Sequence, residues 1–257
     1  MGRGTLFIIV YGMIAAAANL LGGLLVSVRR IGQTTLRYLI AIGAGFMLAA
    51  VLLKIVPESV ELWNGKAAPA MLCVLAGYLL IQLFEHTVAP HFHFGEETHE
   101  EAMLAHHAAL AGVGALMIHT FFDGVSIAVG FLVSFQLGII IFVAIILHKL
   151  PEGFTVASMM LAAGGSRRRA SIAALLVGVV TFGGVALVLL FQRWAVYSRP
   201  ISSYALPFSA GVTLYVAASD LIPEVNTREG GAKISFLVFA GVALFYGADR
   251  LLEQVAP

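Results

Sequence analysis

Charge is what this chain has least of. Of its 257 residues only 11% are Asp, Glu, Lys or Arg, against about 25% in an ordinary soluble domain. Meanwhile 60% are hydrophobic and the mean hydropathy is +0.96. That balance excludes a soluble enzyme, a nucleic-acid-binding domain and a disordered chain. Cysteine is nearly missing too. Cys73 stands alone in an apolar run, which rules out an intrachain disulfide and argues against a thiolate metal cluster. The net charge of +1 points to no charged macromolecular partner. Residues 5–27 carry no clear small-residue cleavage site, so the N-terminal stretch reads as a span and not as a removable leader.

What is present is apolar length. At about 20 residues per spanning helix, the chain has room for roughly seven to nine spans and no separate soluble domain. The hydropathy pattern places eight helices near 5–27, 38–57, 67–85, 108–134, 137–163, 171–192, 204–223 and 233–252. The expected fold class is an all-α polytopic membrane protein, with residues 1–257 as one transmembrane domain. Eight spans put both termini on one side. With the termini outside, the inner loops hold Arg29, Arg30, Arg37, Arg167, Arg168, Arg169, Arg228 and Lys233, and the outer segments hold Arg3, Lys66, Arg193 and Arg199. That distribution favours termini on the extracytoplasmic side.

One connection is long. The 86–107 segment contains His86, His91, His93, His99, His106 and His107 with several glutamates, and no Lys or Arg. It reads as a mobile metal-collecting loop or as a solvated linker. In the termini-out arrangement it is cytoplasmic.

Two internal echoes follow. Ala44-Gly45-Phe46-Met47-Leu48, leading to Pro57-Glu58, matches Ala210-Gly211-Val212-Thr213-Leu214, leading to Pro223-Glu224, at an offset of 166 residues. The offset pairs Lys54 with Asp220. It relates helices 1–3 to helices 6–8 and leaves 4 and 5 unmatched. Three spans per repeat would invert one copy, as in many secondary transporters. The second echo is H-x-x-x-[DE]-G: His119 to Gly124 in the fourth helix and His148 to Gly153 in the fifth.

Ionisable groups at the bilayer centre cost about 2.5–3.5 kcal/mol each on insertion scales, so they need a partner or a task. Residues i and i+4 share a helix face, so His119 points with Asp123 and His148 with Glu152. Two such helices face to face offer two imidazoles and two carboxylates, a nitrogen–oxygen set suited to zinc or another first-row divalent ion. The same residues also fit buried polar pairs that hold helices together, or a proton relay. Lys149 beside this face either raises the positive charge and disfavours a second cation, or pairs with Glu152 or Asp123. Met47 is a soft ligand or plain packing.

These motifs, in this order and topology, resemble the ZIP family of divalent metal transporters, of the prokaryotic GufA-like type. The resemblance covers the whole chain. It implies a 3+2+3 helix plan with inverted repeats, entry of metal into the cytosol, a homodimer in the plasma membrane (the inner membrane in a bacterium), and movement of helices 1, 4, 5 and 6 against 2, 3, 7 and 8. It implies transport and no enzymatic chemistry or catalytic cofactor. Carried over by position, His119, Asp123, His148 and Glu152 are metal ligands, and Met47 matches a metal contact of some members. Asp220 lies where the family often has an acidic pathway residue. Glu58 and Glu224 match its Pro-Glu helix ends.

Members with two metals usually have Asn after the fourth-helix His, an acidic residue after the fifth-helix His, and Glu in the sixth helix. Here those positions hold Thr120, Lys149 and Thr181, so the second metal position looks dismantled. The expected function is transport of a divalent ion, zinc first, with Fe²⁺, Mn²⁺, Co²⁺ and Cd²⁺ also suited to the ligands. Acid should weaken binding, because metal competes with protons. The alternatives are an intramembrane metallohydrolase, which would need an open metal position and a general base, and a metal sensor or receptor built on the His-rich loop.

Overall fold

The computed structural model describes residues 3–28, 33–88, 106–191, 201–225 and 231–255. All of their regular structure is helical: α1 (Arg3–Val28), α2 (Gln33–Ala50), π1 (Val51–Ile55), α3 (Val56–Glu61), α4 (Ala67–Val88), α5 (His106–Val133), α6 (Phe135–Ala162), α7 (Arg167–Phe191), α8 (Ser202–Tyr215), π2 (Val216–Leu221), α9 (Ile222–Val225) and α10 (Gly231–Val255). Among the described residues, seven helices are long and apolar enough to cross a membrane. The α8–π2–α9 rod, Ser202 to Val225, corresponds to the seventh of the eight apolar segments expected from the sequence. Each helix extends a few residues past its expected bounds at one end or both, because hydropathy marks the apolar part of a helix and not its polar ends, while α5, α6 and α7 stop one residue short of the expected C-terminal bound. The seven span-length helices and this rod support an integral membrane protein. Large side chains such as Phe236, Phe239 and Leu72 are exposed on outer faces, as lipid contact allows.

Local chemistry sets the boundaries. Ser134 alone separates α5 from α6, and its Oγ accepts from the Leu137 N–H at 3.1 Å, an N-cap. Gly164 ends α6 with φ +76°, a conformation that suits glycine, and Gly165 N–H closes onto Met160 O. Ser166 then caps α7.

Two π segments were not legible in the sequence. The Val56 N–H donates to Val51 O, and the Ile222 N–H donates to Ala217 O; both are i→i−5 bonds, and they are 166 residues apart. The next residue is Pro in each case. Proline has no N–H to give, so the ladder slips by one residue just before it. Lys54 and Asp220 sit at matching places in these widened turns.

Packing divides the helices into two groups. One holds α1, α5, α6 and α7; the other holds α2, α4, α8 and α10. They meet where α6 lies on α2 and α5 lies on α8. Glycines let backbones touch. A Cβ on Gly45 would fall 2.0 Å from Val238 O, and one on Gly211 1.8 Å from Val74 O. Gly241 meets Ile42 O and Gly77 meets Phe208 O in the same way. The residues of these contacts correspond at offsets of 166 and 164. In the other group, Gly153 meets Asn19 O while Gly124 meets Thr181 O, and Gly22 meets Leu150 O while Gly184 meets Phe121 O. These correspond at offsets of 29 and 162. The two motif helices, unmatched by the 166-residue echo, therefore match each other.

Candidate metal site

The H-x-x-x-[DE]-G motifs meet at the junction of the two groups. His119, Asp123, His148 and Glu152 are all buried. His119 Nε2 lies 3.4 Å from Glu152 Oε1, and His148 Nε2 lies 3.3 Å from Asp123 Oδ2. Each imidazole thus faces the carboxylate of the opposite helix. One ligand atom each from His119, Asp123 and Glu152 falls within a 4.8 Å span, a spacing that one metal ion fits. His148 Nδ1 lies 3.1 Å from Ala144 O. If Nδ1–H donates there, the backbone carbonyl fixes the ring's tautomer and orientation and Nε2 keeps its lone pair for a metal.

Pro151 lies inside α6 and helps line the site. It cannot donate to Leu147 O, and Thr155 Oγ1 bonds Pro151 O at 3.0 Å. A small cavity of about 20 Å³ opens here, lined by His119, His148, Glu152 and Asp220 among others. That is room for one water-sized particle. Asp220 thus lines the same cavity as three of the motif residues.

Lys149 is fully buried. Its ammonium lies 2.7 Å from Asp123 Oδ2 and 2.6 Å from Glu152 Oε2, and it donates to Thr120 Oγ1 at 3.1 Å. Thr120 in turn hydrogen-bonds Glu152 Oε1. All three ammonium protons are matched. Thr181 is buried, with its hydroxyl on Val177 O at 3.3 Å and its carbonyl against Gly124, beside Asp123.

The remaining expected residues lie elsewhere. Met47 is buried in an apolar cluster with Ile140, Ala144 and Val216 and does not line the cavity. Glu58 is half-buried in the first turn of α3. The Glu224, His106 and His107 side chains, and His91, His93 and His99 entirely, lie outside the described residues. His86 is exposed at the end of α4, with Nδ1 2.8 Å from Gln82 O.

Sequence reasoning did not place Glu85 at a site. It is buried near the end of α4, close to Tyr215 and within electrostatic reach of Asp220. The corresponding pair, Lys54 and Asp249, forms an ion pair of 3.0 Å. The 166 and 164 offsets, applied to Lys54 and to Glu85, would have linked the two pairs. One position therefore carries two carboxylates and its counterpart carries opposite charges.

The ZIP zinc transporter family model matches residues 95–249. The chain belongs to the ZIP zinc transporter family. It is 29% identical to the zinc transporter ZIP9-B of Xenopus laevis over 161 residues, 60% of this chain and 52% of that protein. It is 31% identical to the zinc transporter SLC39A7 of Canis lupus familiaris over 134 residues, 51% of this chain and 28% of that protein. With zipt-7.2 of Caenorhabditis elegans the identity is 25% over 142 residues, 54% of this chain and 31% of that protein. The chain thus spans about a third to a half of the length of these ZIP relatives.

Proposed function

We propose that this ZIP protein carries a divalent transition-metal ion, zinc first, into the cytosol through one intramembrane site. The observation that carries the reading is the crossed pairing of His119 with Glu152 and His148 with Asp123, beside a small cavity that His119, His148 and Glu152 line. His119, His148 and Glu152 hold the ion, with Asp123 next; Met47 is a soft reserve in the neighbouring cluster. The ion is cargo, and the chain needs no resident cofactor. Fe²⁺, Mn²⁺, Co²⁺ and Cd²⁺ suit the same donors, and selectivity among them rests on geometry and supply.

Lys149 stands in the second cation position and replaces a second metal. Asp220 and Glu85 take the ion toward the His-rich 86–107 loop, which collects or retains it weakly. The corresponding contacts of the glycines and π segments support a 3+2+3 plan of eight spans with inverted repeats. Opposite insertion of the two copies supplies two alternative conformations around one midplane site. The loop charges support termini on the outer side of the plasma membrane, and the family resemblance supports a homodimer.

Uptake by purified protein in proteoliposomes, with a panel of divalent ions offered from outside, tests the function. Accumulation of Zn²⁺ above protein-free liposomes is the expected result. Absence of uptake for every ion of the panel, in correctly inserted protein, would overturn it.

A further inference from the structure

Asn19 has no duty in the arrangement so far, yet it sits in the interior of α1. It is completely buried, and neither its Oδ1 nor its Nδ2 has a hydrogen-bond partner. Several buried hydroxyls tie themselves to their own helix: Ser59 bonds Ile55 O, Thr181 bonds Val177 O and Thr213 bonds Ser209 O, whereas Ser126 Oγ, like both polar atoms of Asn19, has no partner. An amide left unsatisfied in an apolar interior is costly and calls for an explanation.

Its position supplies one. The backbone of Asn19 touches Gly153. Gly153 and Lys149 are i and i+4 on α6 and share a face. The turn of α1 that carries Asn19 therefore lies against the face from which Lys149 emerges. Gly22, one turn on, packs against Leu150 O. In the pairing of glycine contacts Asn19 corresponds to Thr181, whose carbonyl packs against Gly124, the residue after Asp123.

The Lys149 ammonium spends its protons on Asp123, Glu152 and Thr120. Asp123 Oδ2 also faces His148 Nε2. An ion held by His148 and Asp123 competes with Lys149 for that oxygen. The lysine must then surrender one acceptor while fully buried.

We propose that Asn19 is a positioning residue for Lys149: its amide oxygen accepts the ammonium proton that Asp123 releases when the metal binds. The proposal rests on the single-site transport reading. A neutral amide suits the task, because it satisfies the ammonium without adding the negative charge that would attract a second divalent ion.

The test measures Zn²⁺ affinity and thermal stability on purified full-length protein. Asn19→Leu keeps the bulk and removes the amide, Asn19→Ala removes both, and Asn19→Asp keeps an acceptor. Expected is a loss of Zn²⁺ affinity of about tenfold for the Leu and Ala variants and near-wild-type affinity for the Asp variant. Metal-free Asn19→Leu should be at least as stable as wild type, so that affinity and stability diverge. Wild-type affinity in both the Leu and Ala variants would overturn the proposal. So would affinity losses that merely follow stability, with no rescue by Asp. Failure of transport is read separately: wild type that binds Zn²⁺ but does not move it rejects the transport reading and leaves the role of Asn19 standing.

Discussion

Lys149 and Glu152, one turn apart on α6, form an ion pair of 2.6 Å that uses only one oxygen of the carboxylate. The other oxygen, Oε1, lies 3.4 Å from His119 Nε2. Glu152 thus joins the imidazole side of the site to an ammonium, as a carboxylate joins two metals in a binuclear centre. Two unit charges about 4 Å apart interact by about 4 kcal/mol at an effective dielectric of 20, and a divalent ion doubles that. A second divalent ion beside Lys149 is disfavoured on this count alone.

Metal stoichiometry reads that claim. With residues 90–101 deleted, the protein should bind one tight intramembrane ion per protomer by equilibrium dialysis and elemental analysis. Lys149→Glu should raise the number toward two or change the metal preference. Lys149→Met should instead destabilise the fold, by about 3–5 kcal/mol, since it strands two buried carboxylates. Two tight ions in the loop-deleted wild type would reject the substitution of lysine for metal.

The glycines of the two motifs set a steric limit. A Cβ on Gly153 would lie 2.0 Å from Asn19 O, and one on Gly124 1.8 Å from Thr181 O. Either Gly→Ala change must push helices apart, at about 1–3 kcal/mol for overpacking. Thermal denaturation in detergent should show the loss. Gly183→Ala, which meets no neighbouring atom within 4 Å, should be neutral or slightly stabilising.

The His-rich loop should matter little to the transport step. Deleting 90–101 should change uptake by a few-fold at most and remove weak metal binding by the loop peptide. Complete loss of uptake in a well-expressed deletion would place essential ligands in the loop.

The chemistry of the site was legible because charge is rare in an apolar chain. His119, Asp123, His148, Lys149 and Glu152 stand out for their type and for i, i+4 spacing, and the structure gathers them. Asp220 was marked as a pathway residue by the family resemblance, and the echo only paired it with Lys54. The π slips were not legible, since they depend on how a ladder accommodates Pro57 and Pro223, not on composition. Met47 lies on the face of α2 that packs against α6, in the apolar cluster with Ile140 and Ala144, a placement that its type and position in the sequence do not give. Asn19 is a single amide among alanines and leucines, and only its burial without a partner marks it. The match of α5 with α6 was visible as a repeated motif, but its place in the larger pairing needed the glycine contacts.

The central claim is that one ion passes through the crossed His–carboxylate pairs. It is tested most directly by Zn²⁺ uptake into proteoliposomes containing wild type, His119→Ala, His148→Ala or Glu152→Ala at matched protein levels. Each substitution removes one donor from a site that has few. The account predicts a fall of tenfold or more for each variant, with folding preserved on size-exclusion chromatography. Near-wild-type uptake by His119→Ala and Glu152→Ala would contradict it.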